Sequence, residues 1–105
     1  MNRYSKRESV ENLISVIRNS HPDMVILYTQ GQCYNFHLIL KQVFPSAVPF
    51  HSVNEGHIYT KLFDRFYDIR GRIAYPPRDL KEMSKDEQDD AATWGDNETR
   101  RLSLA

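Results

Sequence analysis

The stretches HIYTKLF at residues 57–63 and FYDIR at residues 66–70 decide the fold, because together they predict a β-hairpin. Both are rich in β-branched and aromatic residues, which favour strands. Asp64 and Arg65 lie between them, and polar residues between two such runs are typical of a tight turn. The sequence therefore predicts two antiparallel strands joined as a hairpin.

The length of the turn decides whether two polar residues of this hairpin meet. Side chains alternate between the two faces of a strand, so a loop with an even number of residues puts His57 and Asp68 on a common face. Asp64-Arg65 or Phe63-Asp64 would be such a loop, whereas a three-residue loop without a bulge separates the two side chains. On a common face they are about 5–8 Å apart at Cβ, so that the carboxylate can orient the imidazole.

Upstream of the hairpin, two segments have the periodicity of helices. Residues 5–19 open with the capping-box pattern Ser5-Lys6-Arg7-Glu8 and then place apolar residues on one face. Residues 33–43 are densely apolar on one face, and Pro45 ends the run. We expect this second helix to be central and buried.

Two shorter segments lie around these helices. MVILY at residues 24–28 fits either a short buried strand or a helical turn. Residues 48–53 predict an edge strand, because Pro49 has no N–H for a central ladder.

The chain after the hairpin predicts an appendage. Paired prolines mark a seam at residues 74–78, and Ser84-Lys85-Asp86-Glu87 is a second capping box, opening a short acidic helix that Trp94-Gly95 would end. Residues 81–98 contain seven acidic residues and two lysines, so the rest of the chain carries a net positive charge. We interpret residues 1–78 as the core and residues 79–105 as an acidic helical appendage of the same α+β domain.

Composition excludes several classes of protein. The 105 residues carry 14 basic and 14 acidic side chains, a net charge of zero that argues against a nucleic-acid partner. The longest apolar run, Met24 to Tyr28, is far shorter than the roughly 20 residues of a membrane span, and no secretory signal is visible. A single cysteine cannot form an internal disulfide, so we expect a reduced, cytoplasmic location.

That cysteine, Cys33, lies at the predicted start of the second helix, just after Gly31 and Gln32. Free N–H groups at a helix start favour an anion, and they make an exposed thiol there more reactive, more so beside an imidazole. The alternative is a buried core thiol, the more common role of a lone cysteine.

The order of a cysteine at a helix start, then a histidine and an aspartate on adjacent strands, resembles the papain-like superfamily and more closely its small transglutaminase-like members. The segments that carry the resemblance are residues 31–36, 56–60 and 66–71, and the last two are also similar to segments of small uncharacterised bacterial and phage proteins. The resemblance covers about residues 25–72. It implies a minimal core in which the helix carrying the cysteine packs on a small antiparallel sheet.

The resemblance also implies a function, thiol-dependent amide or ester hydrolysis or acyl transfer on a protein or peptide substrate, without a metal or organic cofactor. Cys33 would be the nucleophile, His57 the general base and acid, and Asp68 the residue that orients His57. The backbone N–H of Cys33, with the side chain of Gln32 or Gln30, would stabilise the oxyanion.

Three alternatives stay open at this point. The same fold could serve as a non-catalytic interaction module, phage-encoded, that binds a host or virion protein. Cys33 and His37, four residues apart, could bind zinc together with His57 or His51, although no established zinc spacing is present. Finally, the acidic stretch at residues 82–90 is most simply a solvated helix face, but it could fold over the basic core or across the thiol site with Trp94 as its anchor. Deleting residues 79–105 would then raise thiol reactivity.

Overall fold

The computed structural model describes residues 3–29 and 32–93. Within them the chain forms helices and strands of an α+β protein in the order α1 (Arg3–Asn19), α2 (Met24–Thr29), α3 (Cys33–Val43), β1 (Val48–Ser52), β2 (His57–Leu62), β3 (Arg65–Asp68), β4 (Gly71–Ile73), β5 (Lys81–Glu82) and α4 (Lys85–Ala91). The strands build one antiparallel sheet in the order β4-β3-β2-β1-β5.

The predicted hairpin is confirmed as β2 and β3. Leu62 pairs with Arg65, so the connection is the two-residue loop Phe63-Asp64, one of the two even loops that the sequence allowed. Both loop residues have positive φ, 51° and 65°, as a type I′ turn requires to match the twist of the strands. Arg7 of α1 donates a hydrogen bond to the Phe63 carbonyl at 3.1 Å and ties the turn to the first helix.

The helices cover one face of the sheet and enclose the core there. α3 packs along β2, and the first residues of the two elements lie at the same end of the sheet. Cys33 and Tyr34 share a buried cluster with Ile58, and His37 in the next turn of α3 is hydrogen-bonded to Thr60. The main core cluster joins α1, α3 and the sheet, and its buried members are Val10, Ile14, Phe36, Leu40, Ala47, Leu62, Tyr67 and Ile69. α3 is thus central and buried, as predicted.

Three sequence predictions need correction or completion. α1 begins at Arg3, so Ser5 lies inside the helix and the predicted capping box does not open it. The ambiguous segment 24–28 is helical and belongs to α2. β1 is not an edge strand, because β2 and β5 flank it, but β5 pairs only with Phe50 and His51. The missing N–H of Pro49 is tolerated because Pro49 lies at the end of this short pairing, where its carbonyl still accepts from the Met83 N–H at 3.0 Å.

The C-terminal part of the described chain contributes to the sheet. No helix or strand covers residues 74–80, which include the predicted seam, and the following strand β5 completes the sheet beside β1. α4 opens with the predicted capping box, in which Ser84 and Glu87 bond each other's backbone N–H groups, at 3.1 and 3.2 Å. The helix ends at Ala91, before the predicted stop at Trp94-Gly95, and those two residues lie outside the described part of the chain.

None of the helices in the described residues combines the length and the apolar character that crossing a bilayer demands.

Candidate active site

Three elements bring the predicted site residues to one end of the sheet. Cys33 is the first residue of α3, His57 is the first residue of β2, and Asp68 is the last residue of β3. Because α3 and β2 start at the same end and β3 runs antiparallel to β2, these three positions converge there. All three residues are buried, with 4 %, 6 % and 2 % of their surface exposed.

The imidazole of His57 and the carboxylate of Asp68 form a buried pair. His57 Nε2 lies 3.0 Å from Asp68 Oδ2. The observed register, extended along the two strands, sets Asp68 opposite Tyr59 and places His57 diagonally across from it on the same face. The pairing follows directly from the two-residue loop, since a shift by one residue would turn one of the two side chains to the other face.

The Cys33 thiol interacts with the same imidazole, and its hydrogen bond and charge are among the causes of the raised His57 pKa. Since Asp68 engages Nε2, Nδ1 is the ring nitrogen that remains for sulfur. Cys33 also belongs to an apolar cluster with Tyr34, Ile58, Met83 and Ala91. The thiol is therefore both partner to a histidine and packed into the interior.

The charges on His57 and Asp68 stabilise each other. Burial by itself lowers the pKa of His57, but hydrogen bonds and electrostatic attraction to Asp68 and Cys33 outweigh burial and raise that pKa to about 9. Burial likewise tends to raise the pKa of Asp68, while hydrogen bonds from His57 and Arg70 overcome it and lower that pKa. At neutral pH the imidazole is thus protonated beside an ionised carboxylate.

Arg70 completes the surroundings of Asp68, and sequence reasoning did not assign it a role. Its backbone N–H donates to Asp68 Oδ1 at 2.8 Å, and its Nε and Nη2 donate to Oδ2 at 2.8 and 2.5 Å. This geometry arises from the tight turn between β3 and β4, in which Asp68 pairs with Gly71. An aspartate two residues before an arginine in a turn was the available signal, because Asp side chains commonly bond the backbone N–H two residues on.

An aromatic side chain and a small cleft border the pair. The ring of Tyr59 lies edge-on to that of His57, with centroids 4.7 Å apart, and its hydroxyl donates to Glu55 Oε2 at 2.5 Å. A cleft of about 180 Å³ opens beside this group and is lined by Thr29, Glu55, His57 and Arg70. The imidazole is therefore reachable from a polar depression at the surface.

The predicted oxyanion residues are only partly described. Gln30 lies outside the described residues. The side-chain carbonyl of Gln32 accepts a hydrogen bond from Asn35, and Gln32 makes no side-chain cap on α3. The backbone N–H of Cys33 lies in the first turn of α3, where N–H groups have no acceptor within the helix.

The zinc alternative gains no support from residues 3–29 and 32–93, in which no three His, Cys, Asp or Glu side chains are grouped to hold a metal ion. His37 is buried one turn below Cys33, and its Nδ1 lies 2.8 Å from Thr60 Oγ1. Burial first, and the charge of Lys41 second, lower its pKa to about 4, so it is neutral. His37 therefore fits the role of a polar contact between α3 and β2.

Comparison with known proteins supplies a family. No curated protein and no solved structure matches the chain. The family model described as Phage YunG-like protein matches residues 10–102, which include α3, the hairpin and all three residues of the buried group. Because the match spans most of the sequence, the chain belongs to the family of phage YunG-like proteins.

Proposed function

We propose that this protein is a thiol-dependent amide or ester hydrolase or acyl transferase with a papain-like or transglutaminase-like arrangement of Cys33, His57 and Asp68. The observation that carries the proposal is the buried imidazole of His57, held at Nε2 by Asp68 at 3.0 Å and engaged by the Cys33 thiol. A histidine held from one side by a carboxylate while its other nitrogen serves a nucleophile is the arrangement that activates a thiol.

The chemical steps follow from these contacts. Cys33 Sγ attacks the carbonyl carbon of the substrate while His57 holds the proton of the thiol, and the carbonyl oxygen becomes an oxyanion near the Cys33 N–H. The C–N or C–O bond then breaks, His57 gives its proton to the leaving group, and a thioester remains on Cys33. Water or another acceptor attacks the thioester, His57 takes the acceptor's proton, and the thiol is restored when the acyl group leaves.

The carboxylate takes no proton in this sequence. Asp68 stays ionised, because its hydrogen bonds from His57 and Arg70 lower its pKa despite burial. It fixes the imidazole ring and stabilises the imidazolium that exists while sulfur is anionic and in each tetrahedral intermediate. The resting enzyme then holds a protonated His57 at neutral pH, in agreement with the pKa of about 9.

The test is capture of the thioester. The full chain is incubated with p-nitrophenyl acetate and examined by intact-protein and peptide mass spectrometry. We expect one acetyl group on Cys33 that hydroxylamine removes, whereas acetyl groups on lysines resist it. His57→Ala should slow this acetylation by about 100-fold or more, the usual contribution of a general base. His21→Ala, which removes an exposed histidine bonded only locally to Asp23, is the matched control.

The competing function is a non-catalytic interaction module, and one observation favours it. An apolar groove of about 500 Å³ lies near the hairpin turn, lined by Lys6, Ser9, Val43, Phe44, Pro45, Ser46 and Phe63. In such a module Cys33 would be a packing residue, and acetylation in the ester experiment would be equally slow in the parent chain and in the His57→Ala variant. That result would end the catalytic proposal.

A further inference from the structure

The side chain of Arg70 folds back onto the group that holds His57. Arg70 lies in the turn after β3, and its side chain is about half exposed, with 51 % of its surface accessible, against 2 % for Asp68. It directs Nε and Nη2 at the same carboxylate oxygen that faces His57 Nε2. The arginine therefore reaches from the surface into the buried pair.

These contacts leave Asp68 one orientation. Oδ1 is fixed by the Arg70 backbone N–H, and Oδ2 is shared by two guanidinium N–H groups and the imidazole. Each carboxylate oxygen has about two lone-pair sites, so three donors saturate Oδ2 while the backbone N–H fixes Oδ1. Rotation of the carboxylate away from His57 would break two charge-assisted hydrogen bonds to Arg70, which are about twice as strong as neutral ones.

A second contact steadies the arginine itself. Arg70 Nη2 donates to the Tyr59 hydroxyl at 3.5 Å, and this hydroxyl donates in turn to Glu55. Tyr59 also lies edge-on against the His57 ring. The guanidinium is thus bracketed between Asp68 and Tyr59, and both of these residues touch His57.

From this geometry we propose that Arg70 is a positioning residue of the site, which acts through Asp68 to hold the His57 ring with Nδ1 toward the thiol. An effect of Arg70 on turnover rests on the proposed function. The effect of Arg70 on the His57 ring does not depend on that function. The charged and titratable groups around His57 are Cys33 on α3, Tyr59 on β2, Asp68 on β3, Arg70 in the following turn and Glu55 in the preceding loop.

The experiment follows the His57 ring by NMR titration, with its signals assigned by their loss in His57→Ala. Arg70→Gln removes the charge and the fork of two N–H donors. Loss of a nearby cation alone would raise the titration midpoint of His57, whereas a carboxylate free to turn away no longer stabilises the imidazolium, so positioning by Arg70 predicts a fall of about one pH unit, at the low end of the roughly 1–3 units that an opposite charge produces. Arg70→Lys should give an intermediate midpoint, because lysine still donates to Asp68 but has a single ammonium in place of the fork. Arg72→Gln, an exposed arginine two residues on in β4, should leave the midpoint unchanged.

Two outcomes overturn the proposal. One is an unaltered or raised His57 midpoint in a folded Arg70→Gln protein, and the other is an equal shift in the Arg72→Gln control. If circular dichroism shows that Arg70→Gln does not fold, the Arg70→Lys variant alone decides. A His57 midpoint equal to that of the parent protein would then show that the two N–H donors of the guanidinium are not needed. The midpoint is measured on the His57 ring and does not require catalysis. This test can therefore fail while Cys33 still forms a thioester, and the ester experiment can fail while Arg70 still determines the orientation of the His57 ring.

Discussion

His57 and Asp68 lie 11 residues apart in the chain, yet Nε2 of the first and Oδ2 of the second are 3.0 Å apart in a buried setting. One two-residue turn, Phe63-Asp64, sets this relationship. The proposed chemistry depends on it, because Cys33, the only cysteine of the chain, is among the groups that raise the pKa of the same imidazole.

Thiol alkylation should depend on the imidazole. In His57→Ala we expect iodoacetamide to modify Cys33 about tenfold more slowly at neutral pH than in the parent protein, because a neighbouring imidazolium favours the thiolate. The rate is measured from the loss of free thiol under native conditions. His21→Ala serves as control, and equal rates in all three proteins would show that His57 does not activate the thiol.

Stability should change with pH in the direction that the pair dictates. The pKa of His57 is raised in the folded state from 6.5 to about 9, so its contribution is complete below pH 6.5 and is lost as the pH rises through 9. The pKa of Asp68 is lowered from 3.8, so its contribution is present above that value and is lost in more acidic solution. Urea unfolding at a series of pH values should therefore give a free energy of unfolding that declines at both ends.

Asp68→Asn should flatten this profile. An amide keeps the shape but not the charge, and we expect a loss on the order of 2 kcal/mol or more at pH 6, since a buried charged partner is left without its counter-ion. At pH 10, where His57 is neutral in the folded state, the difference between variant and parent should shrink. A constant difference across the whole range would contradict the coupling of the two residues. Asp23→Asn, an exposed aspartate, is the control.

The C-terminal segment should limit access to the thiol. Met83 and Ala91 share a buried cluster with Cys33, and the Tyr34 hydroxyl reaches Gln88 Oε1 of α4 through a hydrogen bond of 3.4 Å. A seven-residue helix is not stable by itself, so α4 depends on these contacts. The acidic segment predicted to fold across the thiol does contribute to its surroundings, although the predicted anchor Trp94 lies outside the described residues.

Point variants test this cover more cleanly than removing residues 79–105, because the deletion also takes away β5. Met83→Ala should raise the rate of Cys33 alkylation several-fold, while Met24→Ala, a methionine of α2 outside the thiol cluster, should not. The measurement is repeated in low urea, since local opening changes little with denaturant and global unfolding changes steeply. Unchanged alkylation in folded Met83→Ala would reject the cover.

The core beneath the site should respond to truncation on one face of α3 only. Leu40 is fully buried in the main cluster, and we expect Leu40→Ala to lower the free energy of unfolding by about 2–5 kcal/mol. Leu38 lies on the same helix with 41 % of its surface exposed, so Leu38→Ala should cost less than about 1 kcal/mol. Chemical denaturation of the two variants side by side gives the comparison, and similar losses would mean that the assigned helix face is wrong.

Local patterns predicted much of this fold. Apolar periodicity and Pro45 defined α3 from Cys33 to Val43, the Ser84–Glu87 capping box marked the start of α4, and β-branched and aromatic residues marked the hairpin. Each of these signals depends on neighbours within a few residues along the chain, which is why sequence alone is informative there. Alternation along β2 and β3 also brought His57 and Asp68 into consideration as a pair.

Tertiary structure decided what depends on distant partners. The segment at residues 24–28 suits a strand or a helix, and its helical state in α2 depends on packing against α1 and α3. The position of β1 inside the sheet was set by β5, a two-residue strand too short to leave a periodic signal. The turn could have been Asp64-Arg65 or Phe63-Asp64, and only the register of the assembled sheet chose the second.

The same distinction between local and long-range signals applies to the candidate site. The sequence alone determined that Cys33 begins a helix, that His57 and Asp68 lie on paired strands and that the chain carries no net charge. Only the folded chain decided that Cys33 is among the groups that raise the pKa of an imidazole already held by a carboxylate, and that Arg70 donates to that carboxylate from its backbone and its side chain. The physical reason is range: helix and strand preferences act between near neighbours, whereas hydrogen bonds and charges in a buried site depend on positions to within fractions of an ångström, which packing of the whole core fixes.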